Sequence, residues 1–123
     1  MAILSFERIE KRMKIKFGIW DFRGGNSAIA AAVEGAGSEV LYLHDKNLAD
    51  KTLKLVKEIF QEEFKMLRVE DAQDGGKFKM IVHCDADKHY TLDLEESELE
   101  TAAAIITFIK SVWRRKWKVT NNA

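Results

Sequence analysis

The first clear pattern in the chain is an alternation of apolar and polar residues. Every second position from Met13 to Ile19 is apolar, and Lys14, Lys16 and Gly18 lie between these positions. A period of two is typical of a strand with one buried face. The pattern therefore predicts a strand whose apolar side enters the core.

Two further apolar runs follow, and glycine-containing breaks separate them. Residues 23–26 (RGGN) interrupt the first pattern and residues 27–34 form the second run; residues 35–37 (GAG) then precede a third run over residues 38–44. Short runs bounded by such turns predict a three-stranded antiparallel meander.

The register of this meander follows from placing apolar side chains on one face. Under this register Val40 and Tyr42 enter the core, while Leu41 and Leu43 lie on the opposite face. The expected cross-strand pairs are Ile19 with Ile29, Phe17 with Ala31, Ile15 with Val33, Val33 with Val40, and Ala31 with Tyr42.

A helix is predicted next, from Asn47 to about Met66. Asn47 is a suitable N-cap, and Asp50 in the first turn complements the helix dipole. The apolar positions at helical spacing are Leu48, Thr52, Val56, Ile59, Phe60 and Leu67.

The second half of the chain repeats this order. Leu67 and Val69 begin a strand, residues 73–76 (QDGG) form a turn, and residues 78–84 and 89–94 form two more strands. With residues 86–88 as an odd-length hairpin loop, the expected pairs are Cys84 with Tyr90, Val82 with Leu92, Met80 with Leu94, and Lys79 with Glu95. Ser97 is expected to cap a last helix whose apolar face contains Leu99, Ala103, Ile106, Ile109 or Lys110, and Trp113.

Both halves, about residues 13–66 and 67–118, thus have the order βββα. We expect an α+β fold of antiparallel meanders in the tandem order βββα-βββα, built as a single domain over residues 1–123. Residues 3–12 are expected to form a short helix, with a strand that starts at Ile9 as the alternative.

Composition narrows the possible functions. The 123 residues carry 20 basic and 20 acidic side chains, so no overall charge attracts nucleic acid or anionic lipid, and any such binding needs a local patch. Apolar runs such as the one from Ala102 to Ile106 are far shorter than the roughly 20 residues of a membrane span. The single cysteine, Cys84, excludes an internal disulfide and favours a reducing compartment. We therefore expect a cytoplasmic protein that does not bind membranes.

The first candidate site is the non-core face of the first strand. Cationic and aromatic side chains alternate there beside a row of small residues on the second strand: Lys14, Lys16, Gly18, Trp20 and Phe22, with Ala28, Ala30 and Ala32. Cations neutralise phosphates and flat rings stack on bases, so this combination is typical of single-stranded nucleic acid binding. The alternative is a second apolar face, made by Trp20, Phe22, Leu41 and Leu43, that a helix or a partner subunit covers.

The second candidate is the basic end of the last helix. Arg114, Arg115 and Trp117 lie in a segment with two tryptophans among four cations, which could bind a polyanion by cation–π contact and stacking. The alternative is a solvated helix end whose cations complement the helix dipole.

Residues 14–25 (KIKFGIWDFRGG) resemble the opening strand and glycine turn of the single-strand-binding positive-cofactor, Whirly and purine-rich-element-binding proteins. The tandem order of strands and helix is similar as well, although those families have four strands in each unit. The resemblance implies binding of single-stranded DNA or RNA on the sheet and pairing of units through their helices. The matching contact positions are Lys14, Lys16, Trp20, Phe22 and Arg23.

The chain also carries residues suited to two other kinds of site. His83, Asp85 and His89 gather imidazoles and a carboxylate at a hairpin tip, a donor set that could hold zinc, although a polar hairpin tip without metal is the simpler interpretation. Asp21 with Glu70 or Asp71 could position magnesium as in ribonuclease H-like nucleases.

The sequence thus favours a non-enzymatic binding module without a cofactor or catalytic residues. Its expected ligand is single-stranded nucleic acid, and a homodimer is expected. The alternative is a protein–protein adaptor, inhibitor or secretion-chaperone-like protein, with Trp20, Phe22, Leu41 and Trp113 as interface anchors.

Overall fold

The computed structural model describes residues 15–75, 77–85 and 88–121. Six strands and two helices follow one another in the order βββα-βββα, so the α+β fold class is confirmed. The elements are β1 (Ile15–Asp21), β2 (Ser27–Val33), β3 (Gly37–Leu43), α1 (Lys46–Ile59), β4 (Leu67–Asp74), β5 (Lys77–Cys84), β6 (Lys88–Leu94) and α2 (Leu99–Asn121). The helix expected over residues 3–12 and Lys14 lie outside the described residues.

The first sheet has the order β1-β2-β3 and is antiparallel throughout. Between β1 and β2 the expected register is confirmed, since Ile19 pairs with Ile29 and Phe17 with Ala31. Their shared face enters the core, where Ile29 and Ala31 are completely buried.

The expected register between β2 and β3 is wrong. Val33 pairs with Gly37 and Ile29 with Leu41, a shift of three positions from the expected pairing. Gly35 and Gly37 have φ angles of +82° and +89°, which glycine adopts without steric cost, so the chain reverses within residues 34–36. An odd shift exchanges the two faces of a strand. Consequently Leu41 is buried and Tyr42 is exposed, the reverse of the expectation.

Helix α1 begins and ends earlier than expected. Its N-cap is Asp45, whose carboxylate accepts hydrogen bonds from the backbone N–H groups of Asn47 (2.8 Å) and Leu48 (3.4 Å). The helix ends at Ile59 instead of near Met66. Downstream, the Asp85 carboxylate accepts hydrogen bonds from the N–H groups of Lys65 and Met66, which ties this segment to the β5–β6 hairpin.

The second sheet has the order β4-β5-β6. Val82 pairs with Tyr90 and Met80 with Leu92, so the register between β5 and β6 differs by two positions from the expected one. An even shift leaves each side chain on its expected face. Met80, Val82 and Cys84 are therefore buried as expected.

Helix α2 follows a capping box made by Glu95 and Glu98, not a Ser97 cap. Ile109 is buried as expected, but the other buried side chains lie beside the expected stripe: Ala102, Ile105, Phe108, Val112 and Lys116. Of the expected stripe, Leu99 and Ala103 are exposed, and Ile106 and Trp113 lie half-buried at its margin.

One hydrophobic core unites the two halves. Helix α1 packs against β6 as well as the first sheet, and α2 packs against β3 and β2 as well as β4. Each helix thus contacts both sheets, and the buried side chains of both halves form one cluster. Neither described helix is long and apolar enough to cross a membrane.

Candidate binding face of the first sheet

The face of the first sheet that points away from the core carries aromatic side chains on both edge strands. Its three cross-strand rows are Lys16–Ala32–Ser38, Gly18–Ala30–Val40 and Trp20–Ala28–Tyr42. We call these nine residues, together with Phe22 and Arg23, which follow β1 in the chain, the ring face. A central column of alanines separates the two edge strands, which lie about 10 Å apart.

The rings of this face are available to solvent. Trp20 is 55% exposed, Phe22 53% and Tyr42 69%. The Trp20 ring lies along its own strand, since a Cβ added at Gly18 would be 3.5 Å from it. Ala28, between Trp20 and Tyr42 in the same row, is only 3% exposed. The two rings therefore flank a shallow trough whose floor is alanine.

The alternative in which a helix of this chain covers the rings is wrong for the described residues. The two leucines assigned to that covered surface, Leu41 and Leu43, lie in the core at 5% and 1% exposure. Val40 and Tyr42 take their places on the outer face. Sequence reasoning missed both residues, and the close spacing of Gly35 and Gly37 was the signal for the shorter turn.

A polar cluster holds the ring-bearing end of β1. The Asp21 carboxylate accepts hydrogen bonds from Lys46 Nζ (2.8 Å) and from Ser27 Oγ (2.9 Å). Both hydrogen bonds lower the pKa of the Asp21 carboxyl, and the one from Lys46 has the larger effect. The hydrogen bond to Asp21 in turn raises the pKa of Lys46. The Phe22 N–H donates to the Asn26 carbonyl (2.7 Å), which closes the turn beside Phe22.

Two cations of the ring face are available for a ligand. Lys16 and Arg23 are exposed, and neither forms an ion pair within the part of the chain that the structure describes. They lie near opposite ends of β1, with Trp20 between them. Lys14 is outside the described residues.

The structure does not bring the basic end of α2 to the ring face. Arg115 donates from Nε to Glu39 (2.8 Å) and from Nη1 to the Ala36 carbonyl (2.5 Å). Glu39 points to the core side of β3, because it pairs with the inward-facing Ala31. Through these two hydrogen bonds Arg115 connects α2 to β3 and to the β2–β3 turn. Arg114 is exposed and donates to the Lys110 carbonyl of its own helix (3.4 Å).

The two tryptophans of this helix end belong to a ladder of rings. Neighbouring centroids lie 5.6 to 6.3 Å apart along the series Phe17, Phe60, Phe64, Trp113 and Trp117. The Lys116 ammonium is 5.3 Å from the centroid of Phe64 and 3.3 Å from a Glu63 oxygen, and its side chain is only 6% exposed. The Trp113 ring therefore contributes to packing within the fold, and the Trp117 ring stacks on it.

The three candidate metal ligands of the hairpin do not converge. His83 and His89 form a cross-strand pair with ring centroids 6.1 Å apart, but the Asp85 carboxylate binds the backbone of Lys65 and Met66. His83 Nε2 lies 3.4 Å from a Glu70 oxygen. No group of three metal-ligating side chains occurs among residues 15–75, 77–85 and 88–121.

The carboxylates considered for a nuclease are also separated. Asp21 lies on the first sheet, whereas Glu70 and Asp71 lie on the second. Glu70 and Asp71 are adjacent in β4 and point to opposite faces, as strand geometry requires. Glu70 accepts a hydrogen bond from Arg68 (2.6 Å), which lowers the pKa of the Glu70 carboxyl.

The outer face of the second sheet differs from the ring face in composition. Its rows contain mainly charged and polar residues: Arg68, His83, His89, Glu70, Ile81, Thr91, Ala72, Lys79 and Asp93. Large exposed apolar patches mark interaction sites, so the ring face is the stronger candidate. Comparisons of the chain with known protein families, with curated proteins and with solved structures found no match.

Proposed function

We propose that the protein is a non-enzymatic binding module whose ring face binds single-stranded nucleic acid. The observation that carries this proposal is the exposure of Trp20, Phe22 and Tyr42 on one side of a regular sheet. Bases stack on such rings without a requirement for sequence, and each stacked base contributes roughly 1–3 kcal/mol. Lys16 and Arg23 supply charge for the phosphates on either side of Trp20.

The small number of cations predicts a shallow salt dependence. If Lys16 and Arg23 each neutralise one phosphate, the affinity for a single strand falls with a logarithmic slope of about −1.4. Affinity should then drop about sevenfold between 50 and 200 mM salt, as expected for a slope of that size. Stacking is the main source of affinity in this arrangement.

The test is fluorescence anisotropy of a labelled single-stranded oligonucleotide at two salt concentrations. Trp20→Ala and Tyr42→Ala should each weaken binding by roughly 5- to 150-fold, the equivalent of one lost stacking contact. Lys16→Gln should make the salt slope shallower by about 0.7. Met66→Ala is the matched control, because Met66 is a 72% exposed apolar residue outside the ring face.

Two results would contradict the proposal. One is the absence of binding by the unmodified protein at low salt. The other is unchanged affinity in the double variant Trp20→Ala with Tyr42→Ala. Either outcome would show that the rings do not serve as a platform for bases.

A protein segment with apolar side chains is the second candidate ligand, and Val40 favours it. Val40 is 48% exposed beside Ala30, so the trough between the aromatic edges is itself apolar. Of the interface anchors expected from the sequence, Trp20 and Phe22 remain available, Leu41 is buried, and Val40 with Tyr42 replaces it.

Val40→Lys distinguishes the two ligands because it changes their affinities in opposite directions. An added cation in the trough should strengthen oligonucleotide binding and steepen its salt slope by about 0.7. The same charge should weaken the docking of an apolar segment, because its burial requires desolvation. Binding of the uncharged apolar dye Nile red to the folded protein reports the second effect.

A further inference from the structure

Strand β1 is an edge of the first sheet. Within the described ranges its only strand partner is β2, and the ladder between them has no bulge over residues 15–21. In antiparallel pairs the backbone groups of alternate residues point to the partner. The Phe22 N–H donates to the Asn26 carbonyl, in continuation of the ladder between β1 and β2. The even-numbered residues of β1 are therefore those whose backbone groups form hydrogen bonds with β2. The backbone groups of Ile15, Phe17, Ile19 and Asp21 therefore point outward.

The other edges of the two sheets carry features that discourage pairing. Charged side chains are frequent on β4, with Arg68, Glu70 and Asp71 among them, and on β6 the inward-facing Leu92 and Leu94 are already buried. Charges on an edge strand oppose pairing with another chain. On β3 the inward-facing Leu41 and Leu43 are already buried, so an added strand there would cover little further inward apolar surface.

Strand β1 lacks this protection. Its charged residues are Lys16 and Asp21, and the whole chain contains no proline. The inward-facing side chains of Ile15, Phe17 and Ile19 remain half-buried, whereas those of the neighbouring strand are fully buried. An additional strand beside β1 would cover these three side chains.

We propose that β1 pairs with β1 of a second copy of this chain, antiparallel and centred on Gly18. This register places Phe17 opposite Ile19 and Lys16 opposite Trp20 of the second copy. It matches Phe17 with Ile19 on the core side and a cation with a ring on the outer side, while Ile15 lies opposite Asp21 at each end of the ladder. Both contacts occur twice because a two-fold axis relates the copies.

The hydrogen-bonding phase agrees with this register. Phe17 and Ile19 present outward backbone groups, so they form hydrogen-bonded pairs across the axis. Gly18 and the Lys16–Trp20 pair then fall at non-hydrogen-bonded positions, where side chains approach most closely. Each Trp20 ring already lies over its own Gly18, next to the position that Lys16 of the second copy would occupy. Seven residues pair on each side, which is the full length of β1.

The pairing makes one six-stranded sheet from two three-stranded sheets. The ring faces of both copies then lie on the same side, with Trp20 of each copy near the axis and Tyr42 toward the far edges. A strand-edge interface is small, so we expect a dissociation constant on the order of micromolar. This inference does not depend on the ligand proposed above, because it concerns the free protein.

Disulfide trapping of single-cysteine additions tests the register without any nucleic acid. Gly18→Cys should form a disulfide-linked dimer under mild oxidation, because residue 18 opposes itself with Cα atoms about 4.5 Å apart. The new Cβ meets only ordinary contact with the Trp20 ring at 3.5 Å. The unmodified protein is the control, since its own thiol, Cys84, is 3% exposed.

Lys16→Cys is the matched register control. Two copies of residue 16 lie about 13 Å apart along the paired strands, beyond the reach of a disulfide. Lys16→Cys alone should therefore stay monomeric in non-reducing electrophoresis, whereas a mixture of Lys16→Cys and Trp20→Cys proteins should give a mixed disulfide. This mixed pair also tests the register should Gly18→Cys fold poorly.

Sedimentation equilibrium supplies the independent measurement. The unmodified protein should dimerise at about 100 µM, and Trp20→Ala should raise the dissociation constant about tenfold through loss of two cation–π contacts. A monomer at that concentration would overturn the proposal, as would cross-linking of Lys16→Cys as fast as Gly18→Cys. Preferential cross-linking through Tyr42→Cys would instead indicate face-to-face packing and would also overturn it.

Discussion

Leu41 and Tyr42 are neighbours in β3 with opposite roles, and separate substitutions should reveal this. Leu41 is 5% exposed and pairs with the completely buried Ile29, whereas Tyr42 is 69% exposed. Truncation of a buried leucine to alanine costs roughly 2–5 kcal/mol, because apolar burial is lost and a cavity remains. Leu41→Ala should reduce the free energy of unfolding by this amount. Tyr42→Ala should reduce it by less than about 1 kcal/mol.

The size of the change in melting temperature follows from chain length. With an unfolding entropy near 2.1 cal/mol/K for each residue, 1 kcal/mol corresponds to about 4 °C for a chain of this size. Leu41→Ala should thus melt roughly 8–20 °C below the unmodified protein, and Tyr42→Ala no more than about 4 °C below it. Calorimetry gives the melting temperatures, and urea titration followed by far-ultraviolet circular dichroism gives the free energies.

The two variants also test the register of β3. The register expected from apolar matching places Tyr42 inward, and under it Tyr42→Ala would be the more destabilising change. Equal losses, or a larger loss in Tyr42→Ala, would refute the orientation of β3 and with it the ring face. Leu43→Ala provides a second inward position, because Leu43 is 1% exposed.

Three further predictions concern local interactions. Asp45→Ala removes the N-cap of α1 and should cost about 0.5–2 kcal/mol in urea titration, whereas Asp45→Asn should retain most of this stability. The pKa of Asp21 is lowered in the folded protein, so its ion pair with Lys46 stabilises the fold above pH 3.8 and loses this effect as the pH falls through the folded-state pKa. The melting temperature of Asp21→Asn should therefore depend less on pH in that acid range. An unchanged dependence would contradict the assignment. Burial raises the pKa of the Cys84 thiol to about 11. The thiol should therefore react slowly with DTNB at pH 8 in the folded protein and quickly in urea. Fast reaction of the folded protein would show that solvent reaches the inward face of β5.

Alternation determined the inward side of β1 and β5 because each of these strands has distinct faces. In β1, for example, Phe17 and Ile19 alternate with Lys16 and Gly18, and only one of the two sides can enter the core. The same alternation put Trp20 on the outer side, where the structure shows it exposed. The candidate face could therefore be recognised from the sequence of one strand.

The sequences of β3 and α2 do not distinguish an inward side from an outward side. Residues 40–43 (VLYL) are apolar at every position, so alternation cannot select a face, and the length of the preceding turn decided it. Residues 102–109 (AAAIITFI) are apolar almost all around the helix, so helical period cannot select a stripe. In α2 the inward stripe was decided by the strands against which the helix packs.

The amino-acid sequence by itself determined the order of strands and helices, because glycine turns and apolar periods act over a few residues. Only the tertiary structure decided that Arg115 binds Glu39, that Asp85 binds the backbone of Lys65 and Met66, and that Tyr42 joins Trp20 on one face. These contacts join residues far apart in the chain. Their formation depends on how the sheets and helices pack around the shared core, and local patterns carry no record of that packing.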